Sequence, residues 1–198
     1  MPPRAKALKM AQPRLPAELR RDLAPFLTNF VILSEISRGS YGAVFKVALK
    51  NSRKRYALKL FFPLMSPQMM EMEIIFNYMF TPWGICPPLS GGLPQLRSNS
   101  FMLSEFERSD SFHAKLETMS EDYVRVYLFE MLKGVYALER MGVMHRDLKP
   151  SNFLFCYETR QGYITDFGLA EVVLGYDSEY NEGAANNEDS LLERIYEI

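Results

Sequence analysis

The 198-residue chain has few residues of the kinds that build disulfide frameworks or zinc centres. It contains two cysteines, Cys86 and Cys156, and two histidines, His113 and His145. The cysteines lie far apart, with no CxxC spacing and no histidine cluster beside them. We therefore expect both thiols to be reduced and buried or half-buried, as in an intracellular protein, and we expect no structural metal site.

The sequence also lacks long apolar runs and an excess of charge of one sign. No segment approaches the roughly 18 apolar residues of a membrane-spanning helix, and no apolar stretch follows the charged N-terminus as in a secretory signal. The formal net charge is −1, so no bulk attraction to nucleic acid or membrane is expected. With 47% hydrophobic and 24% charged residues, the composition is that of a globular protein.

Extended hydrophobic patterns dominate the first half of the chain. Residues 30–37, 43–50 and 55–62 predict three antiparallel strands joined by tight connections, and residues 101–106 ("FMLSEF") predict another. The intervening segment 81–100, rich in proline and glycine, is expected to contain one short strand near Ile85. Later in the chain, "FLFCYE" and "GYITD" around the turn "TRQG" predict a hairpin.

Capping residues and a 3.6-residue repeat predict two main helices. Ser66 and Pro67 mark the start of the first. The second follows Ser120 and ends at Gly142, with Glu121 and Asp122 near its positive end. The expected apolar positions are Met69, Met70, Ile74, Ile75 and Tyr78 on the first helix, and Val124, Leu128, Met131, Leu132, Val135 and Leu138 on the second.

One short loop concentrates polar chemistry between apolar anchors. The stretch "HRDLKPSN", residues 145–152, lies within "VMHRDLKPSNFLF", and polar groups held between buried anchors are costly to position. It matches the pattern H-R-D-L-x-x-x-N of protein kinases position for position. The chain thus resembles the eukaryotic protein kinase superfamily.

Three further segments match kinase motifs in the expected order. "SRGSYGAV", residues 37–44, keeps two of the three glycines of the phosphate-binding loop, with Ser37 in place of the first. "YALKL" places Lys59 on a strand, and "ITDFG" places Asp166 directly after one. Taken singly, the first motif could be a Gly- and Ser-rich turn and Lys59 an exposed strand residue. Their order and structural context favour the kinase interpretation.

The resemblance implies a role for each motif residue. Asp147 would accept the substrate hydroxyl proton, and Lys149 would neutralise charge on the transferred phosphoryl group. Asn152 and Asp166 would ligate Mg²⁺, while His145 would wedge the loop and Arg146 would bind an activation-segment phosphate. The residues implied in ATP binding are Ile36, Ser37, Arg38, Gly39, Ser40, Tyr41, Gly42, Ala43, Val44, Ala57, Lys59 and Glu73.

A helix glutamate should hold Lys59, and two candidates, Glu71 and Glu73, lie on the first helix. Only one of them can face the site. We choose Glu73 because it follows Met69 and Met70 on the expected inward side, with Glu71 as the alternative.

Finer details indicate a subfamily. Lys149 belongs to the Ser/Thr form of the loop, and Glu73 follows Lys59 at only fourteen positions. With "KPSNFLF" and "FERSDSF" these features are most similar to the cell-division-cycle-seven Ser/Thr kinases, and the casein-kinase-one group is the nearest rival. The resemblance implies Ser- or Thr-containing protein substrates, an activating regulatory subunit, a role in DNA replication initiation and a nuclear location, otherwise cytoplasmic. It implies no direct nucleic-acid or membrane binding.

The expected fold is an α+β, two-lobed protein kinase with an antiparallel five-stranded N-lobe sheet, one N-lobe helix and an incomplete helical C-lobe. We assign residues 1–29 to a basic, proline-containing arm, 30–106 to the N-lobe, 107–170 to the first part of the C-lobe and 171–198 to an acidic tail. The tail has a helical apolar spacing at Leu191, Leu192, Ile195 and Ile198.

Residues 167–198 contain no A-P-E motif, so the sequence predicts a truncated C-lobe. The apolar stripe of the second helix would then need cover from the tail, a partner or self-association. We expect the isolated chain to aggregate or need a partner, to bind nucleotide weakly and to transfer little phosphate. A second function class therefore stays open: a nucleotide-binding pseudokinase that acts as an interaction module.

Overall fold

The computed structural model describes residues 24–91 and 101–173. They form two compact units, one built from residues 24–65, 90–91 and 101–106 and the other from 66–89 and 107–173. The predicted α+β class with a five-stranded sheet is confirmed. None of the described helices combines the length and apolar character needed to cross a membrane.

The first unit is organised around a five-stranded sheet. A short helix, α1 (Ala24–Leu27), precedes β1 (Phe30–Arg38), β2 (Gly42–Leu49), β3 (Arg55–Phe61), β4 (Leu89–Gly91) and β5 (Phe101–Glu105). The strand order is β1-β2-β3-β5-β4, and the β1/β2, β2/β3 and β3/β5 pairs are antiparallel. Helix α1 lies in the segment assigned to the N-terminal arm, where no helix was predicted.

Buried and partly exposed side chains alternate along the strands, and the buried ones form the core of the first unit. Its buried side chains are Ile32, Ala43, Phe45, Val47, Leu58, Leu60 and Leu103. On β2 and β3 the intervening residues Val44, Ala57 and Lys59 are half-buried. Because side chains alternate along a strand and Val44 lies opposite Lys59, these three residues share the face opposite to this core.

The second unit contains the longer helices and two small sheets. Its helices are α2 (Pro67–Phe80), α3 (Phe112–Lys115) and α4 (Glu121–Arg140), with 3-10 turns at Thr81–Trp83, Leu116–Thr118, Pro150–Asn152 and Phe167–Leu169. The strands are β6 (Val143–Met144), β7 (Phe153–Cys156), β8 (Gln161–Ile164) and β9 (Glu171–Val172), and β6 pairs with β9 and β7 with β8, both antiparallel.

The helix starts follow the predicted caps. Ser66 Oγ accepts a hydrogen bond from the amide of Met69 at 3.2 Å, and Ser120 Oγ accepts one from Tyr123 at 3.1 Å. Each cap satisfies an amide that lacks an intrahelical partner. Beyond α4, Gly142 has a φ of +65° and its amide donates to the carbonyl of Glu139 at 2.8 Å. The turn that leads from α4 toward residues 145–152 therefore depends on a left-handed glycine.

The short strand predicted within residues 81–100 forms, but its predicted position near Ile85 was wrong. The fourth strand forms at Leu89–Gly91, whereas Ile85 is buried in the core of the second unit. The carbonyl of Ile85 accepts a hydrogen bond from the amide of Ile164 at 2.7 Å. Ile85 therefore satisfies its backbone outside the five-stranded sheet, and apolar character alone could not distinguish the two roles.

The predicted apolar face of α2 was wrong in part, since Met69, Met70 and Ile74 are half-buried but two other positions are not. Tyr78 is 73% exposed and Ile75 is exposed as well, whereas the buried positions are Glu73, Phe76, Asn77 and Phe80. The rings of Phe76 and Phe80 lie 6.2 and 5.2 Å from that of Phe167. The aromatic contact with Phe167 determines the rotation of α2 about its axis. In this rotation Glu73 and Asn77 are buried.

Helix α4 is rotated by about one position from the predicted stripe. Its buried residues are Tyr123, Tyr127, Glu130, Gly134 and Leu138, whereas Val124, Leu128 and Leu132 are exposed. The hairpin β7–β8 determines this face, since a Cβ on Gly134 would lie 2.8 Å from Ile164 Cδ1. Val124, Leu128 and Leu132 thus form the exposed part of the predicted stripe, and its need for cover stays a prediction.

Both cysteines are buried and free, as expected, and burial raises the pKa of the Cys86 thiol to about 11. The N-terminal arm as far as residue 23 and the tail positions Leu191, Leu192, Ile195 and Ile198 lie outside the described residues. The lobe boundaries after residues 106 and 170 stay predictions. Helix α2, assigned from sequence to the N-lobe, lies in the second unit.

Candidate active site

The loop between β6 and β7 brings three predicted site residues together. Asp147 Oδ2 accepts hydrogen bonds from Lys149 Nζ at 2.6 Å and from Asn152 Nδ2 at 2.9 Å. Asn152 Nδ2 also donates to the carbonyl of Asp147 at 3.0 Å. Asn152 is buried and is the last residue of the 3-10 turn that directly precedes β7. The carboxylate is thereby held by an ammonium and an amide on one rigid turn.

Asp147 is ionised at neutral pH. The hydrogen bond from Lys149 is the main cause that lowers its pKa, and the hydrogen bond from Asn152 adds to it, while partial burial acts in the opposite direction. The Asp147–Lys149 pair is partly exposed, at 30% and 49% of the two side chains, so solvent screens the attraction. The group is therefore a carboxylate acceptor, suited to orienting a hydroxyl.

The turn that carries Asp166 is tied to the same loop. The amide and the hydroxyl of Thr165 donate to the carbonyl of Asn152 at 2.9 and 3.2 Å. Asp166 follows in the left-handed conformation, with a φ of +70°. Such strain persists in proteins where neighbouring contacts enforce it. The Thr165 bonds thus place the Asp166 turn beside Asn152.

The donor set around this turn suits a hard cation. Asp166 supplies carboxylate oxygens, and Asn152 uses Nδ2 to donate to Asp147, which leaves its amide oxygen Oδ1 as the ligand atom. Mg²⁺ prefers oxygen ligands and keeps several waters, so two protein ligands with phosphate oxygens suffice. In residues 24–91 and 101–173, no group of three or more His, Cys, Asp or Glu is positioned to hold a metal alone.

The buried ring of His145 packs under the loop and bonds its backbone. Its ring is buried and lies 5.0 Å from that of Phe167. Nε2 is 3.0 Å from the carbonyl of Thr165, and Nδ1 accepts a hydrogen bond from the amide of Asp147. These two bonds require a neutral imidazole with its proton on Nε2. This geometry agrees with the wedge role expected for His145.

Folding stability is expected to fall as pH falls through the histidine range. Burial is the main cause that lowers the pKa of His145, although the Thr165 carbonyl and the charges of Asp166 and Asp147 oppose it. Below the ordinary pKa of about 6.5, the unfolded state binds a proton more readily than the folded state, so protonation favours unfolding. Each unit of pKa difference corresponds to roughly 1.4 kcal/mol.

Melting temperatures at pH 7.5 and 5.5 test this expectation. His145→Gln should reduce the fall in melting temperature seen for the unmodified chain. His113→Gln replaces the other histidine, which lies exposed on α3, and should keep that fall. Equal pH dependence in the unmodified chain and His145→Gln would contradict the assignment.

The β1–β2 turn of the first unit contains the two glycines of the predicted phosphate loop. A Cβ on Gly42 would lie 2.4 Å from the carbonyl oxygen of Leu60, whereas none of the described atoms lies within 4 Å of a Cβ on Gly39. The amide of Gly39 donates to the carbonyl of Gly42 at 2.9 Å. Gly42 is therefore required by the sheet itself, and Gly39 is the position open to an approaching ligand.

The other predicted nucleotide residues of this unit lie around the same turn. Ser37 pairs with Val44 across β1 and β2, and Arg38 forms an ion pair with Glu35 at 2.6 Å. Ile36, Ser40 and Tyr41 are exposed, and Ala43 is buried. These positions surround Gly39 at one end of the sheet.

Lys59 and Glu73 each have a defined setting within their own unit. Lys59 is half-buried on β3, and its Nζ lies 5.5 Å from the ring centroid of Phe61. Glu73 is 1% exposed, whereas Glu71 is exposed. Burial therefore favours Glu73 over Glu71 as the inward-facing acid. Its pairing with Lys59 stays a prediction.

Sequence reasoning missed two residues that support the loop. Thr165 was not singled out, although it binds Asn152 through two hydrogen bonds. Glu171 was assigned to the acidic tail, whereas it lies in β9 and forms an ion pair with Arg146. A polar residue directly before Asp166 was the available signal for Thr165. The two-residue strand β9 is too short to predict from periodicity.

Comparisons with known proteins agree with this geometry. The family described as Protein kinase domain matches residues 30–186. The chain is 27% identical over 176 residues to the cell cycle serine/threonine-protein kinase hsk1 of Schizosaccharomyces pombe, which covers 87% of this chain and 34% of the relative. Two probable cell division control protein 7 homologues of Encephalitozoon cuniculi are 27% identical over 172 residues, covering 87% of this chain and 49% of each. The chain thus spans about a third to a half of the length of these relatives.

Proposed function

Because the chain belongs to the protein kinase domain family, we propose that it transfers the γ-phosphate of ATP to serine or threonine hydroxyls of protein substrates. The observation that carries this proposal is the contact of the Asp147 carboxylate with Lys149 and Asn152 on one loop. Phosphoryl transfer needs positioning and charge neutralisation more than covalent catalysis, and this loop supplies both.

In the proposed reaction each site residue has a separate role. Asp147 orients the attacking hydroxyl and accepts its proton. Since its pKa is lowered, it is a weak base, and orientation is the larger part of its role. Lys149, whose Nζ lies 2.6 Å from Asp147 Oδ2, neutralises charge on the transferred group. Asn152 and Asp166 would hold Mg²⁺, which offsets the charge of the phosphates when bound.

The first unit supplies the proposed nucleotide contacts. Lys59 would bind the α- and β-phosphates, and the backbone at Gly39 would approach them where a Cβ would find open space. Val44 and Ala57 lie on the same sheet face as Lys59 and would contact the nucleotide. The ammonium of Lys59, the backbone at Gly39 and the sheet face shared by Val44, Ala57 and Lys59 support ATP as the phosphate source.

Saturating Mg²⁺-ATP should raise the melting temperature of the chain. A ligand at 100 times its dissociation constant adds roughly 2.7 kcal/mol, which corresponds to about 5–10 °C for a chain of this size. Lys59→Met and Asp166→Asn should each reduce that shift in differential scanning fluorimetry, because they remove a phosphate contact and a metal ligand.

Lys54→Met is the matched control for Lys59→Met. Lys54 is exposed in the turn before β3, so its replacement should leave the nucleotide shift intact. A folded sample whose melting is unchanged by Mg²⁺-ATP would refute the nucleotide-site assignment.

The names of the relatives support a finer proposal. The relatives are described as a cell cycle serine/threonine-protein kinase and as cell division control proteins. We infer from these names that this chain serves the cell cycle. The resemblance to the cell-division-cycle-seven kinases further implies DNA replication initiation, a nuclear location and an activating regulatory subunit. These names favour the cell-division-cycle-seven assignment over the casein-kinase-one alternative. Co-purification of a subunit that raises phosphotransfer would support it.

A second candidate function is a pseudokinase that acts as an interaction module. The exposed aliphatic side chains Val124, Leu128 and Leu132 favour it, because they leave an apolar stripe on α4. The two functions differ in phosphotransfer to a generic Ser/Thr protein substrate. Nucleotide binding without phosphotransfer would favour the interaction module, and incorporation on serine or threonine would favour the enzyme.

A further inference from the structure

The chain returns to the start of the catalytic loop soon after Asp166. Strand β9 pairs with β6 through Val143–Val172 and Met144–Glu171, and the amide of Val173 donates to the carbonyl of Gly142 at 2.8 Å. This pairing places Glu171 opposite Met144, two positions before Arg146.

Arg146 and Glu171 form an ion pair through Nη1 and Oε2. Arg146 has a φ of +66°, in the left-handed region that is unfavourable for a residue with a Cβ. Such a conformation persists when surrounding contacts enforce it. Since Arg146 directly precedes Asp147, a contact that fixes Arg146 also fixes the backbone that carries the proposed catalytic carboxylate.

The same loop is tied at a second point on the other side of Asp166. His145 Nε2 lies 3.0 Å from the carbonyl of Thr165, and Thr165 binds the Asn152 carbonyl. The loop is thus held at residues 165 and 171, which flank the proposed metal ligand. Both side chains of the Arg146–Glu171 pair are about half exposed, so the pair contributes little to global stability. Its effect is local to the loop.

We propose that Glu171 is a positioning residue, a carboxylate within the chain that neutralises Arg146 and holds residues 145–147 so that Asp147 is placed without a phosphate on the following segment. A guanidinium binds carboxylate and phosphate in the same geometry, so Glu171 supplies the anion that Arg146 was expected to take from a phosphate. The kinetic consequence rests on the proposed kinase function. The structural consequence does not.

Glu171→Gln tests the proposal because it removes the charge and keeps the side-chain size. Amide hydrogen exchange in peptides that cover residues 145–152 should become several-fold faster, since the amides of Asp147 and Asn152 donate within this loop. The kcat should fall about three- to fivefold, the range of an exposed ion pair, with the KM for ATP unchanged. Glu171→Asp should retain most of both properties.

Glu158→Gln is the matched control. Glu158 pairs with Arg108 and both side chains are exposed, but neither residue lies in the candidate site. This variant should leave exchange in the loop and kcat unchanged. The combined exchange of charges, Arg146→Glu with Glu171→Arg, should recover part of the exchange protection that each single change removes.

Two results would overturn the proposal. One is loop exchange in Glu171→Gln that equals that of Glu158→Gln. The other is a fall in kcat after phosphatase treatment of the unmodified chain, because Arg146 would then depend on a phosphate. If the unmodified chain transfers no phosphate at all, the proposed kinase function fails, and the exchange measurement still decides whether Glu171 positions the loop.

Discussion

Replacing Asp147 with asparagine should lower turnover by about 10²- to 10⁴-fold, the range for loss of a general base. The change is isosteric, and Asn152 Nδ2 can still donate to the remaining side-chain oxygen, so the loop should keep its shape. What is lost is the negative charge that Lys149 and Asn152 hold in place. Steady-state phosphotransfer to a protein substrate, followed by phosphoamino-acid analysis, measures the effect.

Two companion measurements make this result interpretable. The thermal shift with Mg²⁺-ATP should be nearly the same in Asp147→Asn and in the unmodified chain, because Asp147 is not a proposed nucleotide ligand. Glu117→Gln, an exposed carboxylate in the 3-10 turn Leu116–Thr118, should leave turnover intact. Equal activity of Asp147→Asn and the unmodified chain would mean that the measured kinase is a contaminant. Phosphotyrosine as the main product would contradict the role given to Lys149.

Truncating Leu138 to alanine should cost about 2–5 kcal/mol of the free energy of unfolding. Leu138 is 2% exposed and belongs to the core that includes Tyr127, Val143 and Ile164. The loss combines the transfer of the removed methyl groups and the cavity that they leave. Urea denaturation followed by circular dichroism measures the change, with the slope of the transition checked for constancy.

Leu132→Ala is the control on the same helix. Leu132 is 47% exposed, so its truncation should change stability by only about 0.5 kcal/mol, as for other surface substitutions. Alanine is also a strong helix former, which limits the cost further. A loss at Leu132 as large as that at Leu138 would show that the exposed stripe of α4 is covered in solution. It would thereby contradict the exposure of Leu132.

Local rules predicted the elements that depend on local chemistry. Ser66 and Ser120 were identified as caps because a hydroxyl before an apolar repeat has a specific amide to satisfy, and both caps form. The hairpin β7–β8 followed from two apolar runs around a polar turn. The motif residues Asp147, Lys149 and Asn152 were recognised because residues 145–152 resemble the loop pattern of protein kinases position for position.

Helix rotation could not be predicted in the same way. Counting apolar residues placed Tyr78 in the apolar repeat of α2, although it is exposed, and it did not identify the buried Gly134 of α4. A glycine adds no hydrophobic signal, yet its lack of a side chain lets Ile164 approach α4. Glu73 was placed on the inner face because it follows Met69 and Met70, since an acid gives no hydrophobic signal of its own. Hydrophobic periodicity therefore misses helices whose contact line contains small or functional residues.

The sequence by itself determined the order of the motifs and the residue types of the candidate site, since these lie along the chain, and through their resemblance to kinase motifs it implied the kinase fold class. Only the tertiary structure decided what each group contacts. It showed that Gly42 is required by the Leu60 carbonyl, and that Glu171 belongs to a strand paired with β6 and not to a tail. Both facts depend on backbone segments that lie far apart in sequence and meet in space, and such pairings leave no periodic trace in either segment.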